Sequence, residues 1–289
     1  MPSQAGWLDR LRQLNRRGRV PLGVLMSLLV LTVAAWWLTL YQAVSMDMPM
    51  GLAVRGGSEG MASGGMADMA MSGIAASGWS PKGAAVFVAL WTVMMAAMML
   101  PAAAPMIFMF AQAQARRNPS VAVPTWIFAA GYMLVWAAAG LGVYVAVQIG
   151  SDVATALAPD ARARWAPLAL GATVAAAGLY QFLPAKRVCL SHCRSPLAFV
   201  ALHWRDGRLG ALRMGLRHGS YCFGCCWALF AVLVAAGTMS LAWMLLLTLV
   251  VFAEKLFAHG PRVASAVGAV LIGLGLAIGS GATAMPWVS

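Results

Sequence analysis

The chain has 289 residues, of which 62% are hydrophobic and only 10% charged, with a mean hydropathy of +0.79. Soluble domains run near 45–50% apolar and about 25% charged, so a water-soluble enzyme, a disordered chain and a basic nucleic-acid binder are all excluded. The formal net charge of +12 falls in segments between apolar runs, where it reads as membrane orientation rather than as a partner.

In chain order, residues 1–20 form a basic tail and 21–44 an uncharged run long enough to span a bilayer at ~20 residues per crossing. That run exceeds the ~7–15 apolar residues of a cleaved signal and holds Trp36-Trp37. It is expected to stay as a signal anchor. Residues 45–82 form an external loop. Residues 83–280 form a helical membrane domain, with spans from Gly83 to Ala111, Val121 to Gly150 and Trp165 to Leu183. A Cys/His loop follows at 184–220. The uncharged run from Tyr221 is too long for one ~30 Å crossing, so it is expected to fold at Gly237-Thr238 into two short helices or a re-entrant hairpin. A last span runs from Val263 to Gly279, and 281–289 form an external tail.

The expected fold is therefore an all-α polytopic membrane protein with about seven transmembrane helices. Placing the N-terminus in the cytoplasm and the C-terminus outside puts 16 of the 20 Lys and Arg residues inside, leaving Arg55, Lys82, Arg162 and Arg164 outside. That asymmetry is the positive-inside pattern. Gly131, Gly140 and Gly142, and the pair Gly275 and Gly279, read as close helix packing.

Sulfur marks the candidate site. The 45–82 loop carries Met46, Met48, Met50, Met61, Met66, Met69 and Met71 in a Gly/Ser/Ala-rich background. A segment with no core to fill has little packing use for them. Thioethers are soft donors suited to Cu(I), and they escape disulfide formation outside the cell. The second span reads WTVMMAAMMLPAAAPMIFMF. At 100° per residue, Met94, Met95, Met98, Met99, Met106 and Met109 share an arc of about 140°. Pro101 and Pro105 interrupt the same helix. Met also fills gaps in a kinked helix, so packing competes with metal binding there.

All five cysteines lie within VCLSHC and RHGSYCFGCCW. Cys189 and Cys193 follow the fourth span. His218, Cys222, Cys225 and Cys226 share one face if their segment is helical. Thiolate and imidazole ligands suit Cu(I), with Zn(II) as the alternative, and a reducing compartment leaves the thiols free. The spacing is not that of a zinc finger, and buried cysteines can also be plain small apolar residues. His203 and His259 are read as bystanders. Glu254 is expected to pair with a loop Arg near the membrane face. Paired catalytic carboxylates, a nucleophile elbow and a phosphate-cradling glycine loop are absent, so no enzyme is expected.

The run Trp91–Pro105, the run Gly219 to Trp227 and the Glu254-Lys255 pair resemble a bacterial inner-membrane family of predicted metal-binding integral membrane proteins, sometimes labelled copper chaperones. The resemblance covers roughly residues 80–280. It implies metal binding, copper above all, at Met94, Met95, Met98, Met99, Cys222, Cys225 and Cys226. It implies no role for the Met-rich loop or for Cys189 and Cys193.

The expected function is a Cu(I)-binding inner-membrane protein that captures and passes the ion, in uptake or in delivery to a cuproprotein or copper-chaperone partner, without nucleic acid. Two alternatives stand beside it: a membrane thiol–disulfide oxidoreductase, and an assembly subunit with incidental metal binding.

Overall fold

The computed structural model describes residues 23–41, 79–117, 122–235 and 241–281. Among them every regular element is a helix: α1 (Gly23–Tyr41), α2 (Pro81–Arg117), α3 (Ala122–Ala156), α4 (Pro159–Tyr180), α5 (Pro184–Arg194), α6 (Pro196–His203), α7 (Gly207–Ala235), α8 (Leu241–Leu256) and α9 (Gly260–Gly279). Helices suit lipid because each satisfies its own backbone groups within the segment.

Among the described residues five helices are long and apolar enough to cross a membrane: α1, α2, α3, α7 and α9. The α4–α5 pair, bent by 61°, makes a sixth if it is one broken span. The sixth expected span, in the second half of the run from Tyr221, is α8, with 16 residues, short of the ~20 a crossing needs. The apolar run from Tyr221 is divided between α7 and α8, and the expected break at Gly237-Thr238 lies outside the described residues.

The stretch 184–220, expected as a loop, is helical for most of its length. Two prolines explain the short helices. Pro184 opens α5 and Pro196 opens α6, positions where the missing N–H costs nothing and φ is already helical. Gly207 enters α7 at φ +81°, a backbone state glycine reaches without a Cβ penalty. Pro101 and Pro105 do not end α2. A proline withdraws one hydrogen bond from the helix, and in a packed bundle neighbouring groups can satisfy the freed carbonyl.

The core lies where α2 and α7 face α3. Met94, Met95, Met98, Met99 and Met106 of α2 are buried, together with Trp91, Phe110, Phe128 and Trp136, while Met109 is half-buried. Trp91 Nε1 donates to the Trp136 carbonyl at 3.1 Å. Two seams bring helix backbones together. A Cβ on Gly131 would stand 2.7 Å from the Leu212 carbonyl oxygen, joining α3 to α7, and one on Gly171 would stand 2.6 Å from the Gly275 oxygen, joining α4 to α9. Gly140 takes the Trp91 ring, whereas Gly142 faces open space and has no packing role. Leu134, Leu141, Leu249, Val270 and Leu276 point outward, as lipid-facing residues do.

The two ends of the bundle differ. At one, Arg117 lies 3.9 Å from Asp206 and over the Trp204 ring, and Arg194 donates to the carbonyls of Glu254 and Ala258 at 2.6 and 3.1 Å. At the other, Trp79 Nε1 donates to Asp152 at 3.0 Å. The end of α2, the 184–217 region and the α8–α9 turn therefore gather together.

Candidate metal centre

Helix α7 supplies most of the centre. His218, Cys222, Cys225 and Cys226 lie on its buried side, which is the face that helical spacing predicts. Two glycines let α3 come close. A Cβ on Gly215 would stand 2.1 Å from the Phe128 carbonyl oxygen, and one on Gly219 would stand 3.0 Å from that of Tyr132. This approach brings Tyr132 Oη to 3.0 Å from Cys222 Sγ. The same hydroxyl lies 3.4 Å from the Met99 carbonyl oxygen, to which it donates, so α2 meets the thiols through Tyr132.

Helix α5 adds Cys193, whose Sγ is 4.0 Å from that of Cys225. Cys225 and Cys226 are 3.2 Å apart at sulfur, and the Cys225 thiol also donates to its own helix at the Cys222 carbonyl, 3.1 Å away. From α8, Lys255 Nζ donates to Cys222 Sγ at 3.0 Å. Four thiols from two helices thus share one buried locus with a hydroxyl and an ammonium. All five cysteines are free. Cys193, Cys225 and Cys226 follow one another as neighbouring thiols, and among the described residues no three His, Cys, Asp or Glu side chains form a ready metal-holding group. A cation would have to replace thiol protons and part the sulfurs.

The other sequence candidates sit apart to differing degrees. Cys189 is half-buried, with its Sγ in the space that Gly224 leaves, 2.7 Å from where a Cβ would stand. His218 stacks on Tyr132, with ring centroids 5.5 Å apart, and also contacts Phe128 and Phe199. Its Nδ1 is buried with no hydrogen-bond partner. His203 Nδ1 lies 3.1 Å from the Phe199 carbonyl oxygen, and His259 stands at the N-cap position of α9 without a side-chain capping bond; among the described residues neither hydrogen-bonds a thiol. Met46, Met48, Met50, Met61, Met66, Met69 and Met71 lie outside the described residues.

Glu254 is paired, but with Lys186 at 2.7 Å, not with an arginine. Arg194 reaches only its backbone carbonyl. Lys186 lies inside the bend between α4 and α5, where its side chain is fully buried beside the carboxylate, while the Arg194 guanidinium is engaged by the backbone carbonyls of Glu254 and Ala258. Lys186 also donates to Gln181 Oε1.

Sequence reasoning missed Tyr132 and Lys255. Lys255 was placed among orientation-setting charges, although a lysine inside VVFAEKLF is itself a flag, because intramembrane cations need a partner. Tyr132 carried no local signal.

No curated protein and no solved structure matches the chain. The family model PpoB2, described as a copper chaperone, matches residues 88–278, which span α2 to α9 and every thiol described above: the chain belongs to this copper chaperone family.

Proposed function

We propose that this protein is a Cu(I) carrier of the bacterial inner membrane, with its N-terminus in the cytoplasm. Met46, Met48, Met50, Met69 and Met71 capture the ion outside. Met94, Met95, Met98 and Met99 pass it along α2 by exchange between thioethers. Cys193, Cys222, Cys225 and Cys226 hold it near the cytoplasmic end, with Cys189 at the rim and the free Nδ1 of His218 beside them. A soft monovalent cation prefers sulfur donors, and a thiolate offers charge as well as softness. The affinity gradient then runs inward, which favours uptake and hand-over to a cuproprotein. Lys255 balances the charge of a thiolate at Cys222 until the cation arrives.

One observation supports this reading above the others: four thiols from two helices share one locus, linked through Tyr132 to the methionine-bearing α2, in a chain of the copper chaperone family. The gathering of Arg117, the 184–217 region and Arg194 at one end supports the orientation. The test is copper analysis of anaerobically purified, reduced protein offered cuprous ions. Wild type should retain the ion, and Cys222→Ser/Cys225→Ser should lose it. Deleting residues 46–71 should slow loading without abolishing it. Equal copper in wild type and the double serine variant would refute the site.

A membrane thiol–disulfide oxidoreductase is the second reading, favoured by the 4.0 Å approach of Cys193 and Cys225. Thiol trapping from each side of the membrane separates the two. Labelling of Cys222 from outside favours the redox enzyme, and protection from that side favours the carrier.

A further inference from the structure

A second polar locus lies apart from the thiols, in the bend between α4 and α5 where α9 passes. A cavity of about 260 Å³ opens there, lined by Gln181, Lys186, Arg187, Arg194 and Ser265 among others. One water needs only ~10–15 Å³ of such space, so there is room for a polyatomic guest.

The lining is rich in donors. Gln181 is 3% exposed. Its Oε1 accepts from Lys186, and since an ammonium can only donate, the other end of the amide must be the NH₂. That nitrogen is buried and has no partner. A buried polar group in this state calls for an explanation, and an unseen ligand is one. The charges point the same way. Lys186, Arg187 and Arg194 stand against a single carboxylate, Glu254, which Lys186 already neutralises. Arg194 spends two of its donors on backbone carbonyls and keeps the rest. Arg187 is exposed at the rim. Ser265 donates into its own helix.

We propose that this cavity binds a phosphate-class oxyanion, supplied either as the headgroup of an anionic phospholipid or as free phosphate. Gln181 Nε2 and the two guanidinium groups hold its oxygens. Arginine matches that geometry with paired N–H donors, and basic pockets between helices near the membrane face take acidic headgroups. Flanking Phe182, Leu183 and Val188 are exposed apolar residues placed to meet an acyl chain.

The test uses the full-length, reduced, metal-free protein. In neutral detergent it is titrated with inorganic phosphate by calorimetry. In discs of phosphatidylcholine with or without phosphatidylglycerol, lipid retention is read by native mass spectrometry. Saturable binding is expected from one source, and which arm responds identifies it. Arg187→Gln should weaken that binding about tenfold, as loss of a charged hydrogen bond does, and so should Gln181→Leu. Arg213→Gln, a basic residue outside the cavity, should leave it unchanged. Because Arg187 is exposed, its variant should fold even if Gln181→Leu does not. No saturable binding in either arm overturns the proposal, as does an equal loss in Arg187→Gln and Arg213→Gln. Copper retention is measured separately, so failure here leaves the thiol site standing.

Discussion

Lys186 and Glu254 form an ion pair whose side chains are each 1% exposed, with nitrogen and oxygen 2.7 Å apart. Breaking such a pair from one side strands a charge in a medium that solvates it poorly, at a cost of about 3–5 kcal/mol. Lys186→Met should fall in that range. Glu254 Oε1 already has no partner, so the variant leaves a carboxylate with neither oxygen paired to a side chain. Glu254→Gln should cost less, because Lys186 keeps Gln181 Oε1 as an acceptor. The double variant Lys186→Met/Glu254→Gln removes both charges and should recover to within ~2 kcal/mol of wild type, since replacing a buried pair by neutral groups is often close to neutral. Urea unfolding in mixed micelles, followed by the fluorescence of the chain's 12 tryptophans, gives all three values and the coupling between the sites. A cost below ~1 kcal/mol for Lys186→Met, or strict additivity in the double variant, would refute the claim that this pair is dry and tightly coupled.

Gly215→Ala should cost at least ~1–3 kcal/mol as an overpacking change, because its Cβ meets the Phe128 backbone oxygen 2.1 Å away and backbone cannot turn aside; an unchanged unfolding midpoint would count against the α3–α7 seam. Under native conditions Cys189 and Cys193 should react with a small maleimide before the others, since both are half-buried while Cys222, Cys225 and Cys226 are each 1% exposed; mass mapping that finds Cys222 labelled first would show the locus to be open. Tyr132→Phe removes the hydroxyl shared by Cys222 and the Met99 carbonyl. It should lower stability by only about 0.5–1.5 kcal/mol yet change the cuprous-ion affinity measured by competition with a chelator, and an unchanged affinity would exclude Tyr132 from the metal site.

Composition and run length settle the helical class: lipid admits helices and closed barrels, and uncharged runs of about 20 residues fit a helical crossing where a barrel needs short alternating segments. Periodicity settles which side of α2 and of α7 is buried: the methionine arc and the His218–Cys226 face repeat at the helical period, and burial follows that repeat. The Cys and Met motifs were enough to point to the copper chaperone family. Hydropathy could not settle the span count. The 16-residue α8 and the 61° bend between α4 and α5 depend on how neighbours pack, not on how apolar a window is.

The surroundings of each thiol belong to the tertiary structure. Tyr132 is 90 residues from Cys222 and Lys255 is 33 residues from it, and no periodicity reports a partner on another helix. Cys189 and Cys193 look equivalent in sequence and share one face of α5 a turn apart, yet that one turn sets Cys193 beside Cys225 and Cys189 beside Gly224. Glu254 visibly needed a cation, and only the bend of the chain selected Lys186 over the arginines around it. Local pattern decides what a helix is and which side it hides, while the contents of the hidden space depend on helix-to-helix distances that glycines such as Gly131 and Gly215 set.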